Sequence, residues 1–585
     1  MALLVQKFGG TSVGSVDRIK AVANKISTNK DEGNDLVIVV SAMGQTTDEL
    51  SVLARKISKS PPQREMDMLL ATGEQVSIAL LSMALNELGT PAISMTGSQV
   101  GIVTESAHGR ARILEVKTDR ILNKLNDGKV VVVAGFQGTS VSSGGTSEIT
   151  TLGRGGSDTT AVALATALNA DACEIYTDVP GVLTTDPRKV KSAKLMSHLS
   201  CDEMLELASL GAAVLHPRAV ELARNYGINL KVLSSWDDSP GTELTSKKRK
   251  AIGREGLELG RPVDGVELVE NQAVIALSHI PDKPGIAAQL FENLSEGNIN
   301  VDLIIQSTHE GNSNDITFTI NRKNLVKATS LCKSILKEMG GVFKSQDNMT
   351  KISISGAGIM GRPGIAAKLF DSLYRSGINL RLIATSEVKV SCVIDSSEGS
   401  KAIKAISNSF KLNNEQIAIN PIISGFGEPA VRGVALDPDQ SQISVRKIPD
   451  LPGIASSICS ILSDSCICLD TIVQSERQYK NGERDISFTL KTSEKISAKK
   501  TLAPLMAKWP GSYLEDGPSI NRISAVGSGM PAIAGTAAKM FRALADANIN
   551  IVMIATSEIR TSCVVSEDDG LKGLNAVHKY FQLDK

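Results

Sequence analysis

Aromatic residues are scarce in this chain, 3% of 585 residues with Trp 2, so a protein that stacks nucleobases on aromatic platforms is poorly supplied. Excess charge is also missing. Lys+Arg 63 balances Asp+Glu 63, which removes the footprint of a nucleic-acid or anionic-membrane binder, and neither partner is expected. The one basic run, Lys247 to Lys250, reads as a solvated linker. No uninterrupted apolar run approaches the ~18 residues of a membrane span, and Met1 to Lys7 runs into a structured motif without a signal-peptide layout; a cytoplasmic location is the expectation. Cysteines number 8 and are scattered, the usage of small buried thiols. Cys466 and Cys468 are the one close pair. No histidine lies between His309 and His578, so nothing completes a tetrahedral site; the pair reads as buried strand residues, and no zinc is expected.

What is present points to several folded domains, since a chain of this length exceeds the roughly 100 to 200 residues of one domain. Residues 1–245 read as α/β. Leu36 to Val40 and Val130 to Ala134 are continuous apolar runs, as in strands buried on both faces of a parallel sheet. Val16, Ile19, Ala23 and Ile26 mark one helical face, and Met66 to Leu81 suggests a longer helix. Alternating strands and helices imply a layered α/β/α domain, with ligands beyond the carboxyl ends of the strands.

A linker is expected at 246–262, and beyond it the chain repeats itself. Ile280 to Ala287 returns as Ile448 to Ala455, Asp315 to Thr319 as Asp485 to Thr489, and Gly364 to Phe370 as Gly535 to Phe541. Four related strand–helix–strand units follow, at 263–342, 343–424, 440–516 and 517–585, with a second linker at 425–439. The turns Asp282-Lys283-Pro284-Gly285 and Asp450-Leu451-Pro452-Gly453 each open a helix, and their free backbone N–H groups can take a carboxylate. Asn300, Asp302 and Gln306 can take an ammonium.

The first domain carries three polar turns. Val5 to Gly14 is a strand, a glycine turn and a helix start, where Gly9 and Gly10 let a polyphosphate approach and Lys7 adds positive charge. It is neither a P-loop nor a G-x-G-x-x-G fingerprint. Leu152 to Thr160, with Arg154, Gly155, Gly156, Ser157 and Asp158, opens a second helix. The third turn runs from Tyr176 to Arg188. Such a combination of backbone donors, cations and carboxylates suits phosphoryl transfer.

K-F-G-G-T-S-V-G, V-S-A-M-G-x-T-T-D-E-L, A-T-G-E, G-F-Q-G, T-L-G-R-G-G-S-D and T-D-V-P-G-V-x-T-T-D-P-R, in this order, closely resemble the aspartate kinases of the amino-acid kinase family. The C-terminal units resemble ACT domains. The likeness covers nearly the whole chain, is to monofunctional enzymes, and is nearest to the longer cyanobacterial type. It implies a three-layer α/β/α kinase domain with a mainly parallel sheet, followed by four ferredoxin-like βαββαβ ACT domains. It implies transfer of the γ-phosphoryl group of MgATP to the side-chain carboxylate of L-aspartate. By motif, Lys7 and Asp158 would serve the transfer, and Arg154 would clamp the substrate carboxylate with Gly155, Gly156 and Ser157. Glu74 would take its ammonium beside Thr47. Phe8, Gly9, Gly10, Ser41, Thr177, Asp178, Leu183, Thr184, Thr185, Asp186, Pro187 and Arg188 would hold ATP, which brings Mg2+. Lysine or threonine would bind around Asp282, Pro284, Gly285, Ile286, Ala287, Asn300, Asp302, Gln306 and Asn550, and around Asp450, Pro452, Gly453, Ile454, Ala455, Asp470, Gln474 and Asn379. Paired ACT units complete their sheets with a partner, so a homodimer is implied.

One departure stands out. Ala213 occupies the place of a family lysine in G-A-K-V-L-H-P; either Arg218 substitutes or nucleotide binding is weaker. His216 reads as a turn histidine. Two rivals remain open at this point: a kinase of the same fold acting on glutamate, acetylglutamate or a nucleoside monophosphate, and an amino-acid sensor whose kinase domain has decayed.

Overall fold

The computed structural model describes residues 2–141, 147–212, 214–246, 256–260, 262–309, 313–357, 359, 362, 364–422, 425–474 and 482–585. The chain forms two compact bodies. The first comprises Met1–Leu183, Leu195–Ala208 and Ala213–Gly260; the second comprises Thr184–Lys194, Ser209–Ala212 and Arg261–Lys585. Ala213 and the basic run from Lys247 lie outside the described residues.

In the first body one sheet runs His198–Ser200, Thr242–Thr245, Leu230–Ser234, Ala172–Thr177, Leu3–Phe8, Asp35–Val40, Val130–Ala134, Ala92–Met95. Its central strands are parallel. Leu36 to Val40 and Val130 to Ala134 are fully buried because both faces are covered. Ile19, Val22, Ala23 and Ile26 of helix Val16–Asp31 pack with Ile78, Leu81 and Leu85 of helix Thr72–Glu87 on one face. Helix Gly156–Leu168, buried along its whole length, packs against the central strands. Two readings need correction. Val16 is exposed, because it sits at the helix start. The expected long helix divides at Ala71 into Gln63–Leu70 and Thr72–Glu87. By length and composition Gln63–Glu87 could cross a membrane, but Ile78, Leu81 and Leu85 belong to the core just described.

The second body holds the repeats as four modules built on strand, helix, two strands and helix; the first three are followed by a further strand, and the fourth ends with helix Gly570–Tyr580. Neighbouring modules share long strands, so the boundaries are interlaced rather than sequential. In Gly265–Pro281, the stretch Val266 to Leu268 lies between Ile352 to Ile354 and the parallel strand Ile417–Ile419, which buries Val263, Val266 and Leu268 in the second module's core. Strand Gly433–Pro449 does the same for the fourth module, where Val434 and Leu436 pack with Ile523 and Ala525. Much of the expected linker 425–439 is therefore structured sheet. Cys466 is exposed, in a turn with φ +56°, and Cys468 is half-buried, so the expectation of buried strand residues is corrected.

Modules pair within the chain. The first joins the fourth through helices Ile286–Glu296 and Thr536–Asp546 and through antiparallel strands, with Ile305 opposite Ala555. The second joins the third through Ile365–Arg375 and Ile454–Asp464. A threonine clasps each seam. Thr556 Oγ1 donates to Asp302 O at 3.1 Å and accepts from Ile304 N at 2.7 Å; Thr385 does the same with Asp470 O at 3.1 Å and Ile472 N at 3.4 Å. Sheet completion thus needs no second copy, and the reason given for a homodimer is removed.

Candidate active site and effector pockets

Because the central strands are parallel, their carboxyl ends lie along one edge. Gly9 and Gly10 follow Phe8, Ser41 and Ala42 follow Val40, Gly135 follows Ala134, and Asp178 follows Thr177. Backbone bonds tie these turns together: Gly9 N donates to Tyr176 O (3.3 Å), Ser41 N to Phe8 O (3.2 Å), Gly44 N to Gly10 O (3.0 Å) and Gly135 N to Val40 O (3.0 Å). A side chain at Gly10 would bring its Cβ within 2.8 Å of Ala42 O, so the turn must be bare, and it forms a cradle open to a phosphate chain. Lys7 Nζ lies beside it, 2.6 Å from Asp158 in the first turn of Gly156–Leu168. Phe8 offers this edge only its backbone, since its buried ring stacks on Tyr176 at 4.6 Å.

Glu74 is 2% exposed and accepts a bond from Ala42 N at 3.0 Å through Oε1; its Oε2 is buried with no partner. Burial pushes this carboxyl up to about 7, against the pull of the Glu74 and Ala42 backbone N–H groups. Arg154 is exposed and reaches Asp48 at 3.6 Å, in the helix Thr46–Ile57 that also carries Thr47. Gly155 takes φ +70°, and a Cβ there would strike the His216 ring. Ser157 is buried and close to Gly135. Thr177 donates to Asp178 at 3.2 Å, and Asp178 is exposed.

Thr184 to Arg188, expected in the nucleotide loop, follow Leu183. Thr184 to Lys194 belongs to the second body. Thr184 is buried; its Oγ1 lies 2.9 Å from His578 Nε2 and accepts from Lys194 N at 3.0 Å. Asp186 grips Arg188 at 3.0 and 2.9 Å, Pro187 is exposed, and Thr185 Oγ1 is buried without a partner. Arg218, offered as a substitute for the missing lysine, is engaged elsewhere: its Nε and Nη2 hold Glu258 at 2.7 and 2.8 Å, and Nη2 also donates to Ala111 O. His216 caps helix Pro217–Tyr226 by accepting from Arg218 N, as a turn histidine should.

In the repeats, Gly285 and Gly453 take φ +93° and +96° at the starts of their helices. At these helix starts Ile286 N donates to Lys283 O at 3.5 Å and Ile454 N to Leu451 O at 3.4 Å, after Pro284 and Pro452 and before Ala287 and Ala455. Each turn is met by a residue of the paired module. Asp282 accepts from Asn550 of the fourth module at 2.7 Å, and Asp450 from Asn379 of the second at 3.4 Å. The cavity of the second pair is lined by Asn379, Asp450, Gln474 and Arg484, among others. Gln306 donates to Ile551 O at 2.7 Å. Asp302 and Asp470 are turned to other work: Asp302 holds Lys351, and Asp470 accepts from Gln440 at 2.7 Å beside Arg522. Asn300 donates to Pro531 O at 3.3 Å.

Residues 2–234 match the model of the amino acid kinase family, and residues 278–334, 352–410 and 523–581 match that of the ACT domain. An aspartokinase of Bacillus sp. (strain MGA3) is 50% identical over 420 residues, 71% of this chain and 99% of that protein. The chain belongs to the aspartokinases. One from Geobacillus stearothermophilus is 46% identical, covering 72% of this chain and all of its own length. The crystal structure of an aspartate kinase from Synechocystis superposes over 100% of this chain with TM-score 0.87 and 51% identity. This aspartokinase is thus a kinase, and the third module completes the ACT array by its topology.

Two features escaped the sequence reading. Asp67 is fully buried, and accepts from Thr151 Oγ1 at 2.5 Å and lies 2.7 Å from His108 Nδ1; nothing in the spacing of these residues signals the network. Asn314 and Arg484 flank the Asp282 and Asp450 turns, Asn314 donating to Asp282 at 2.8 Å and Arg484 pairing with Asp450 at 2.9 Å. That signal was available, for each directly precedes the repeated aspartate, Asp315 or Asp485.

Proposed function

We propose that this chain transfers the γ-phosphoryl group of ATP to the side-chain carboxylate of L-aspartate, giving 4-phospho-L-aspartate. The observation that carries the reading is the pairing of two unlike sites on one sheet edge: the Lys7–Asp158 ion pair at 2.6 Å beside the bare Gly9–Gly10 turn, and the buried Glu74 carboxylate with an unpartnered oxygen. The acceptor carboxylate, with an ordinary pKa of about 3.9, is ionised at neutral pH, so no general base is needed. What must be overcome is repulsion between two anions.

Asp158 holds Lys7 against the cradle, where its ammonium can follow negative charge onto the transferred group. Glu74 takes the substrate ammonium, and Arg154 closes on the α-carboxylate when it leaves Asp48. Ser157, Gly155 and Gly156 supply the helix N-terminus. Gly9, Gly10, Ser41, Thr177 and Asp178 line the nucleotide side. Magnesium would arrive on the phosphates, where the Gly10 cradle fits a polyphosphate and Asp158 and Asp178 are the nearby carboxylates; it would neutralise phosphate charge. Lysine and threonine act as inhibitors at the module pockets. A homodimer would have to use a surface other than the module seams.

A coupled assay of ADP release tests the reading, with aspartate and with glutamate at equal concentration. Turnover on aspartate, suppressed by lysine or threonine, is expected. Preference for glutamate, or ATP binding without transfer to either, overturns it.

A further inference from the structure

The break at Ala71, between helices Gln63–Leu70 and Thr72–Glu87, is fastened to the strand pair that leads into the Arg154 turn. Thr151, the last residue of strand Ser147–Thr151, stands opposite Gln137 of the antiparallel strand Gln137–Val141. Opposite residues of such a pair project to the same face, and both reach the helices. Thr151 Oγ1 donates to Asp67 Oδ1 at 2.5 Å, and Gln137 Nε2 donates to Ala71 O at 2.9 Å. Asp67 and Ala71 are one helical turn apart, joined by Ala71 N donating to Asp67 O at 3.1 Å. One cross-strand pair therefore grips the helix end at two points. Asp67, Gln137 and Thr151 are all buried. The rest of the Asp67 carboxylate is taken by His108 Nδ1 at 2.7 Å and by Gly109 N at 3.1 Å, so its place is fixed by several bonds out of water.

Each end of this clasp leads to one hold of the proposed substrate site. From Ala71 the chain enters Thr72–Glu87, with Glu74 in the first turn. There is no slack on the way: a Cβ at Gly73 would lie 2.8 Å from Ala42 Cβ, and Ala42 N is the donor to Glu74. From Thr151 the chain reaches Arg154 in three residues. Leu152 between them is pinned by its N–H donating to Phe136 O at 2.9 Å and by Arg218 Nη1 donating to its carbonyl at 2.5 Å. The Lys7–Asp158 pair and the glycine turn are held by other bonds.

Taking Glu74 and Arg154 as the two holds on the amino-acid substrate, as proposed above, we infer that Asp67 and Gln137 are positioning residues that fix the separation of these holds before substrate arrives. Asp67 sets the Arg154 turn through Thr151, and Gln137 sets the Glu74 helix through Ala71. Both act through other residues, and what they supply is preorganisation of the amino-acid side of the site. Loosening either bond should therefore weaken aspartate binding and leave the nucleotide side in place.

Steady-state kinetics of the full chain, with aspartate and ATP varied in turn, test this. Thr151→Val removes the hydroxyl that meets Asp67 and leaves Asp67 its bonds to His108 and Gly109; it should raise the aspartate KM by about tenfold, with kcat and the ATP KM within about twofold of the parent. Thr151→Ser, which keeps the hydroxyl, should restore the aspartate KM. Double-mutant cycles separate positioning from stability. In an Arg154→Ala background Thr151→Val should add less than about twofold, and Gln137→Met, which raises the aspartate KM alone, should lose its effect in the same way in Glu74→Gln. Additive effects in either cycle remove the residue concerned from this role. A lowered melting temperature with an unchanged aspartate KM, or an ATP KM raised as much as that for aspartate, makes the cluster a packing element and overturns the inference while the parent's turnover of aspartate stands. A parent that transfers phosphate to neither aspartate nor glutamate overturns the proposed function, and this inference falls with it.

Discussion

Two glutamates, one in each body, are shifted in opposite directions: Glu74 is buried and Glu558 half-buried. Glu74 is pushed up to about 7 by burial, with only backbone N–H groups opposing. Glu558 would also be raised by burial, but Lys389 and Lys351 hold it down at about 2. Lys389 lies 2.6 Å and Lys351 3.4 Å from Glu558, and both lysines are nearly fully buried. The difference is where the counter-charge comes from. In the repeats it is supplied by the chain itself, which fixes the sheet; in the kinase body Glu74 Oε2 is buried with no partner, and on the proposed function the counter-charge is the substrate ammonium.

The largest way to break the comparison is to remove the cation that the kinase body sets beside the Gly9–Gly10 turn. Lys7→Ala should lower kcat by about a thousandfold, roughly 4 kcal/mol, with a far smaller change in the aspartate KM, because its charge matters most as negative charge redistributes. Steady-state kinetics at saturating ATP decide it, and near-full turnover would remove Lys7 from the transfer step.

In the repeats the expected effect is on folding. Glu558→Gln should cost about 2 to 3 kcal/mol in denaturant unfolding, since two buried lysines lose a shared partner while keeping Asp302 and Glu267. The parent should show the matching acid response. With the folded carboxyl held below its unfolded value of 4.5, the stabilisation is fully present above about pH 4.5 and fades as pH falls towards 2. An unfolding free energy equal to that of the parent would mean the cluster adds nothing.

How much of this was readable beforehand follows from the range of each interaction. The parallel sheet was legible because Leu36 to Val40 and Val130 to Ala134 are apolar throughout, and the module array because Ile280 to Ala287 and Ile448 to Ala455 repeat almost letter for letter. Lys7, Asp158 and Glu74 were nominated by motif, and the structure brings Lys7 and Asp158 into contact. What stayed hidden depends on partners distant in sequence. Asp302 looks like Asn300 or Gln306 on its strand, and only the fold reveals Lys351 beneath it. Thr184 reads as part of a nucleotide loop, and nothing local indicates that His578, 394 positions away, would lie against it. The break at Ala71 and the strand inside residues 425–439 were missed because burial there is set by neighbouring modules and helices rather than by local periodicity.

The smallest effect sharpens the comparison most, because it titrates the Glu74 carboxyl itself. With Glu74 at about 7, an ammonium must displace a proton from a neutral carboxyl below that pH and finds a ready carboxylate above it. The aspartate KM should therefore rise by about tenfold for each unit that pH falls below 7 and level off above it. Stability of the ligand-free protein should run the other way. A folded pKa above the unfolded value of 4.5 means the native state binds more protons in that window, so the unfolding free energy should decline as pH rises from about 4.5 to 7, and saturating aspartate should restore it. In Glu74→Gln both slopes should flatten together, with the KM raised at pH 8. A variant that flattened the stability profile but kept the slope in KM would show that Glu74 is a buried acid of the core, and that the substrate ammonium is received by another group on the same edge.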